Sequence, residues 1–307
     1  MKSPILLLIY NRPDKTAILL EAIREYRPTK VYIAADGPKI DKDIDVIRTT
    51  RRVASKIDWK CEVFTLFREV NLGCKVAVSS AIDWFFEAEE MGIILEDDCL
   101  PDSSFFLLCE ELLSKYKEND KVGMIAGTNQ FSNQLFNVEE SYFFGTNASI
   151  WGWASWRRAW EHYDVNMTQW PKLRKERGFL RSYSSNMLER LRRQAAYDDV
   201  YSNRIDTWDY QWTFARQKAG LLCIIPSANL VENIGMDGGG THLKNSNYVG
   251  QLKSKPLEFP LRHPVGLSVN REFDRLLSGQ IVSEGMIRNI LYLMIKRPFK
   301  NYLLSER

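Results

Sequence analysis

Apolar positions in the first 128 residues alternate between short unbroken runs and helical spacings. Ile5 to Ile9 is a continuous run of strand length, and Asp14 to Tyr26 carries Ala17, Leu20 and Ile23 on one face behind an Asn-Arg-Pro-Asp start suited to a cap. Lys30 to Ala35 reads as a second strand closed by the turn Asp36-Gly37-Pro38. A polar helical stretch through Ile57 leads to strand Cys61 to Phe67. Asn71-Leu72-Gly73 then turns the chain into a helix with Ala77, Ala81, Trp84 and Ala88 on one face. Gly92 to Leu95 is the next strand, Ser103 to Lys117 the next helix, and Val122 to Ala126 another strand. Strand and helix in alternation specify an α/β fold: a Rossmann-like, mostly parallel central sheet flanked by helices.

The pattern changes after Gly127. A Trp-rich segment (Trp151, Trp153, Trp156, Trp160, Trp170) is followed by a basic helical stretch from about Gly178 to Tyr197, a helix from Thr207 to Lys218, strand Leu221 to Ile225 and a glycine cluster at Gly235 to Gly240. There is no internal repeat and no low-complexity linker, so this half is expected to pack on the same sheet. The expected divisions are an α/β half over 1–128, an acceptor-side half over 129–245 and a C-terminal helical extension over 246–307. Within the extension, Ile281 to Leu304 mixes apolar residues with Arg288, Lys296, Arg297 and Lys300. Charge and Pro298 exclude a membrane span there, and leave a helix packed on the body or lying on an anionic membrane surface.

Composition adds little to this fold. At 307 residues, 45% apolar and 26% charged, the chain is ordinary for a folded protein, and a net charge of +3 without a basic stripe argues against nucleic acid as a partner. Five scattered cysteines with no CxxC pair indicate neither a zinc site nor a disulfide framework, which suits a reducing, cytoplasmic setting.

Candidate chemistry sits at successive strand ends. Tyr10, Asn11 and Arg12 follow the first strand, Asp36 and Gly37 the second, Asn71 and Lys75 the third, and Glu96, Asp97 and Asp98 the fourth. In a parallel sheet these ends share one edge, where open α/β sheets bind ligands. Arg12 can fork onto phosphate, Asp36 can accept from a nucleobase N–H, and the acidic run can hold Mg²⁺ or Mn²⁺ beside phosphate oxygens. No GxxxxGK[ST] and no GxGxxG follows a strand, which disfavours P-loop and dinucleotide-binding enzymes.

The order of Ile5-Leu6-Leu7-Leu8-Ile9-Tyr10-Asn11-Arg12, Tyr32-Ile33-Ala34-Ala35-Asp36-Gly37 and Ile94-Leu95-Glu96-Asp97-Asp98, with Pro101-Asp102 opening the next helix, resembles the GT-A nucleotide-sugar-dependent glycosyltransferases. Within them it is most similar to the group of the Golgi N-acetylglucosaminyltransferase that begins complex N-glycans. The likeness continues through Asn129, Trp151-Gly152-Trp153 and Thr207-Trp208-Asp209-Tyr210-Gln211-Trp212, over roughly the first 245 residues. It implies a GT-A fold, a nucleoside diphosphate sugar donor (UDP first), a hydroxyl of a glycan or lipid-linked acceptor, and a divalent metal.

By the same resemblance Asp36 contacts the base, Arg12 and Lys75 lie near ribose or phosphate, Asp98 binds the metal, and Glu96 and Asp97 sit near sugar and ribose. The family's Trp-Asp-Asp-Trp becomes Trp208-Asp209-Tyr210-Gln211-Trp212 here, leaving Asp209 or Asp206 as the base of an inverting transfer; a retaining one needs no such base. His242, behind three glycines, is a second metal-ligand candidate, and Trp151 and Trp153 are expected to face substrate. The alternatives are a sugar-nucleotide pyrophosphorylase and a non-catalytic carbohydrate- or nucleotide-binding protein.

Overall fold

A computed structural model describes residues 2–134, 138–176, 178–235 and 252–283. In chain order it contains β1 (Ile5–Ile9), α1 (Pro13–Tyr26), β2 (Lys30–Ala35), α2 (Ile44–Ala54), β3 (Glu62–Phe67), α3 (Gly73–Ala88), β4 (Met91–Glu96), β5 (Cys99–Pro101), α4 (Ser103–Lys115) and β6 (Val122–Ala126). Then follow β7 (Tyr142–Gly145), β8 (Trp153–Trp156), α5 (Arg157–Trp160), α6 (Trp170–Leu173), α7 (Met187–Tyr201), α8 (Asp209–Ala219), β9 (Leu222–Pro226), β10 (Val231–Asn233) and α9 (Arg271–Ser283).

Eight strands form one sheet in the order β3-β2-β1-β4-β8-β6-β9-β7. Strands β3, β2, β1 and β4 run parallel, as does the β6–β9 pair. Strands β8 and β7 are antiparallel to their neighbours. Helices cover both faces, so the architecture is a mostly parallel, Rossmann-like α/β sheet. Strands from both sides of residue 128 join it.

Burial explains the sequence pattern. Both faces of β1 are covered and all five of its residues are buried, so the strand is apolar throughout instead of alternating. Its odd residues join α1, α4 and the first core, while Leu6 and Leu8 join the second core with α3, α8 and α9. Edge strand β3 is exposed over Glu62 to Thr65.

The strands that the sequence did not reveal are three or four residues long. β5 and β10 make a separate two-stranded ribbon, and β7 and β8 complete the main sheet. Runs this short show no period. The basic stretch after Gly178 becomes a regular helix only at Met187, where Asn186 caps it by accepting from the Leu188 and Glu189 amides. Residues 252–283, expected as part of an extension, are packed on the body: Ser141 and Arg262 bond backbone to backbone, and Phe273 and Leu277 of α9 are buried in the second core. The surface-seeking role assigned to 281–304 falls almost wholly outside the described residues.

Candidate functional site

Parallel register carries β1, β2 and β4 to a common edge, with Leu8 opposite both Ala34 and Glu96. The acid triplet therefore lies beside the end of β1. Asp97 is buried and receives the Tyr10 amide at 3.1 Å. Arg12, just before α1, reaches back so that Nη1 lies 3.2 Å from Asp97 Oδ1 and 2.7 Å from Asp98 Oδ2. Burial works against the guanidinium's charge, but these two carboxylates hold it on. Gly235, next to β10, leaves the space: a Cβ there would come within 2.5 Å of Asp98 Oδ2 and 3.1 Å of Arg12 Nη1.

One guanidinium does not neutralise three acids. Glu96 is pushed up to about 8, by burial first and then by Asp98, Asp97 and Asp209, with Arg12 opposing. Asp97 is pushed up to about 6 by burial, with Arg12 pulling it down and Asp98 adding to the rise. Both shifts disfavour the charged form of the carboxyl.

A second acidic group surrounds the start of α3. Both oxygens of Asp36 accept from Leu72 N at 3.0 Å, and Oδ2 accepts from Gly73 N at 3.1 Å. Asp206, arriving from just before α8, accepts from Cys74 N at 3.0 Å and Lys75 N at 2.9 Å. Two carboxylates thus cap one helix N-terminus, where orphan amides and the helix dipole favour negative charge. Lys75 Nζ turns to Asn203 Oδ1 at 2.9 Å, and Asn71 Nδ2 to Gly37 O at 2.8 Å. Gly37 is buried against the Val70 backbone, and a Cβ would lie 2.4 Å from the Val70 carbonyl carbon.

Asp209 opens α8 and joins the two groups. Its Oδ1 accepts from Thr207 Oγ1, and no described residue hydrogen-bonds to Oδ2. Its charge acts on Glu96 and on Cys74. Cys74 was not legible as a site residue, yet it sits among Glu96, Asp206, Asp209 and Asp36, and burial followed by those charges pushes its thiol up to about 12. Nothing in its sequence surroundings announces this, since the partners arrive from three other segments.

The sequence candidates divide accordingly. Tyr10, Arg12, Asp97 and Asp98 are in direct contact, Glu96 adjoins them, and Asp209 is near enough for its charge to act on Glu96; Asp36, Asn71, Lys75 and Asp206 gather around the α3 start. Asn11 follows β1 with its side chain partly buried. Trp151 is partly exposed and packs against the first core, whereas Trp153 has no exposed surface. Its indole stacks on Trp208 with centroids 5.8 Å apart and touches Trp160 and Trp212, so it serves the core, contrary to the expectation that it faces substrate. His242 lies outside the described residues.

Among the described residues no three His, Cys, Asp or Glu side chains converge as a ready cation site. The donor set does fit a metal that arrives with a diphosphate. Mg²⁺ and Mn²⁺ take one or two carboxylates and fill the remaining positions with water and phosphate oxygens. Asp98, partly exposed at the edge of the triplet, is the carboxylate placed to supply that bond.

No protein-family model matches the chain, and no curated protein matches it. Solved structures with some likeness include HddC from Yersinia pseudotuberculosis, 9% identical over 52% of this chain and 80% of that one, with a TM-score of 0.31. A cytidylyltransferase from Leptospira borgpetersenii serovar Hardjo-bovis is 13% identical over 66% of this chain and 72% of its own, TM-score 0.33. The 4-diphosphocytidyl-2C-methyl-D-erythritol synthase from Anaerococcus prevotii is 8% identical over 70% and 98%, TM-score 0.32. Likenesses this slight carry no argument about chemistry, and the glycosyltransferase group that the motifs resemble gains no support from the family models.

Proposed function

We propose that the chain is a glycosyltransferase that moves a sugar from a nucleoside diphosphate donor, UDP being the first candidate, to a hydroxyl of a glycan or lipid-linked acceptor. The observation that supports it most is that Arg12 contacts Asp97 and Asp98 at the carboxyl edge of the sheet while Asp209, from a distant segment, lies near enough for its charge to act on Glu96. Arg12, already fixed by Asp97 and Asp98, is positioned to contact a donor phosphate. Asp98 would hold a divalent cation together with the diphosphate. When bound, that cation supplies charge neutralisation for the departing nucleoside diphosphate.

The chain's own residues do the rest. Glu96, beside Asp97 and Asp98, would hydrogen-bond the donor sugar. The acceptor hydroxyl attacks the anomeric carbon opposite the bond to the diphosphate. Asp209 takes the hydroxyl proton on Oδ2 as that bond breaks, so the product is inverted. Asp206 is the weaker candidate for base, because each of its oxygens already receives a backbone N–H.

Nucleotidyl transfer is the rival. It needs a backbone cradle for a triphosphate after the first strand, whereas Tyr10-Asn11-Arg12 leads straight into α1 at Pro13. A screen of nucleotide sugars, scored by released nucleoside diphosphate, separates the two. Metal-dependent release that is lost in Asp209→Asn is expected. Pyrophosphate from a nucleoside triphosphate and a sugar phosphate overturns the proposal.

A further inference from the structure

Away from the acid triplet, a cavity of about 1120 Å³ opens between α9, the start of α7 and the segments after β6 and β7. Pockets for single drug-sized ligands span roughly 300–1,000 Å³, so this one has room for more than one sugar ring. None of Arg12, Glu96, Asp97, Asp98 or Asp209 lines it. The two places are joined through α8: Asp209 opens the helix, and Arg216 lies about 10 Å further along its axis.

The walls are polar and their charge is one-sided. Arg181, Arg193, Arg271 and Arg275 line the cavity against two acids, Glu189 and Asp274. Both acids are already occupied. Glu189 pairs with Arg193 at 2.6 Å, and Asp274 accepts from the Thr146 amide at 3.1 Å and its hydroxyl at 2.8 Å.

Arg181 and Arg271 are exposed and make no ion pair with a described residue. Among the described residues Arg275 has one distant ion-pair partner, Glu272 at 3.9 Å. Behind the wall, Arg216 is fully buried; among the described residues it reaches Asn147 Oδ1 at 3.3 Å and Cys223 Sγ, no carboxylate bonds to it, and its Nε has no partner. Its charge adds to the positive potential of the cavity that Asn147 lines. Ser182, Ser184 and Ser185 add hydroxyls, and Tyr183 adds an aromatic surface.

We infer that this cavity binds an anionic saccharide, whose carboxylate or phosphate is held by Arg181 and Arg271 while its ring hydroxyls meet the serines and its ring face packs on Tyr183. That the bound saccharide is the sugar acceptor rests on the transferase proposal; the binding itself does not.

The test is titration calorimetry on the full chain with no donor and no metal. The probes are a tetragalacturonate, a mannose oligosaccharide phosphate and, as the neutral control, maltotetraose. At least one acidic probe should bind tenfold or more tightly than maltotetraose, and which one binds tells carboxylate from phosphate. Arg181→Ala/Arg271→Ala should weaken that binding at least tenfold while leaving the thermal midpoint unchanged. The inference is overturned if no acidic probe binds, if maltotetraose binds equally, or if the double variant binds like the parent. It is also overturned if inorganic phosphate or a short single-stranded oligonucleotide binds as tightly as the acidic probe. The nucleotide-sugar screen is run separately, so saccharide binding by a chain that releases no nucleoside diphosphate from any donor removes the transferase proposal and leaves this one standing.

Discussion

Two groups of carboxylates lie near the carboxyl edge of the sheet, and they are satisfied in opposite ways. Asp36 and Asp206 sit on the first amides of α3, where backbone N–H groups and the helix dipole supply the positive ends they need. Among the described residues the side chains of Glu96, Asp97 and Asp98 have one guanidinium, one amide and the Cys99 thiol as partners, and burial first, then their mutual repulsion, pushes Glu96 up to about 8 and Asp97 up to about 6. A carboxylate saturated by amides fixes structure, whereas one short of positive charge is ready for a cation or a proton. The first group fixes the start of α3; the second is the one to which the chemistry is proposed to belong.

Asp98→Ala breaks this contrast most severely. Metal-dependent transfer from a UDP-sugar should fall by on the order of a hundredfold or more, as expected when an electrostatic partner of the leaving group is lost. Steady-state rates at saturating Mn²⁺ check it, and a rate near that of the parent would place the metal elsewhere. Asp209→Asn should lower kcat by roughly 10²- to 10⁴-fold, the range for loss of a general base, with UDP affinity unchanged in calorimetry.

The two groups were not equally legible in the sequence. The acid triplet follows the apolar run of β4, and a strand ending in charge at the carboxyl edge of a parallel sheet is a readable signal. Arg12 was readable for the same reason. The capping of α3 was not, because Asp206 is 131 residues from the Lys75 amide that it accepts and no local pattern encodes that meeting. Trp153 misled for a related reason: its neighbour Gly152 reads as a loop, but the antiparallel pairing of Ile94 with Trp153 draws the indole into the core. The parallel half of the sheet was visible as alternating strands and helices. β5, β7, β8 and β10 were too short to show a period.

The pH dependence sharpens the contrast in the metal-free protein. Glu96 has a folded value near 8 against an ordinary value of 4.5. Between those limits the folded state binds more protons than the unfolded one, so stability declines as pH rises through that window. Glu96→Gln removes the deprotonation. Its thermal midpoint, measured with chelator present, should exceed the parent's by a few degrees at pH 9 and match it near pH 4.5. Equal midpoints at both pH values would show that Glu96 is not crowded.

Asp206→Ala should have the smallest effect on chemistry. It removes one of two caps from α3 and should cost about 1 kcal/mol in urea unfolding, the usual loss for a helix cap. Donor turnover should persist after correction for the folded fraction. A collapse of turnover with stability intact would reverse the roles of Asp206 and Asp209.

The acid triplet, short of positive charge, is proposed to take a cation together with a diphosphate. Calorimetric titration of UDP into the full chain, with and without Mn²⁺ and in the parent and Asp98→Ala, decides this. Binding that requires Mn²⁺ in the parent and disappears in Asp98→Ala is the predicted result. UDP binding that ignores Mn²⁺, or survives unchanged in Asp98→Ala, would contradict it.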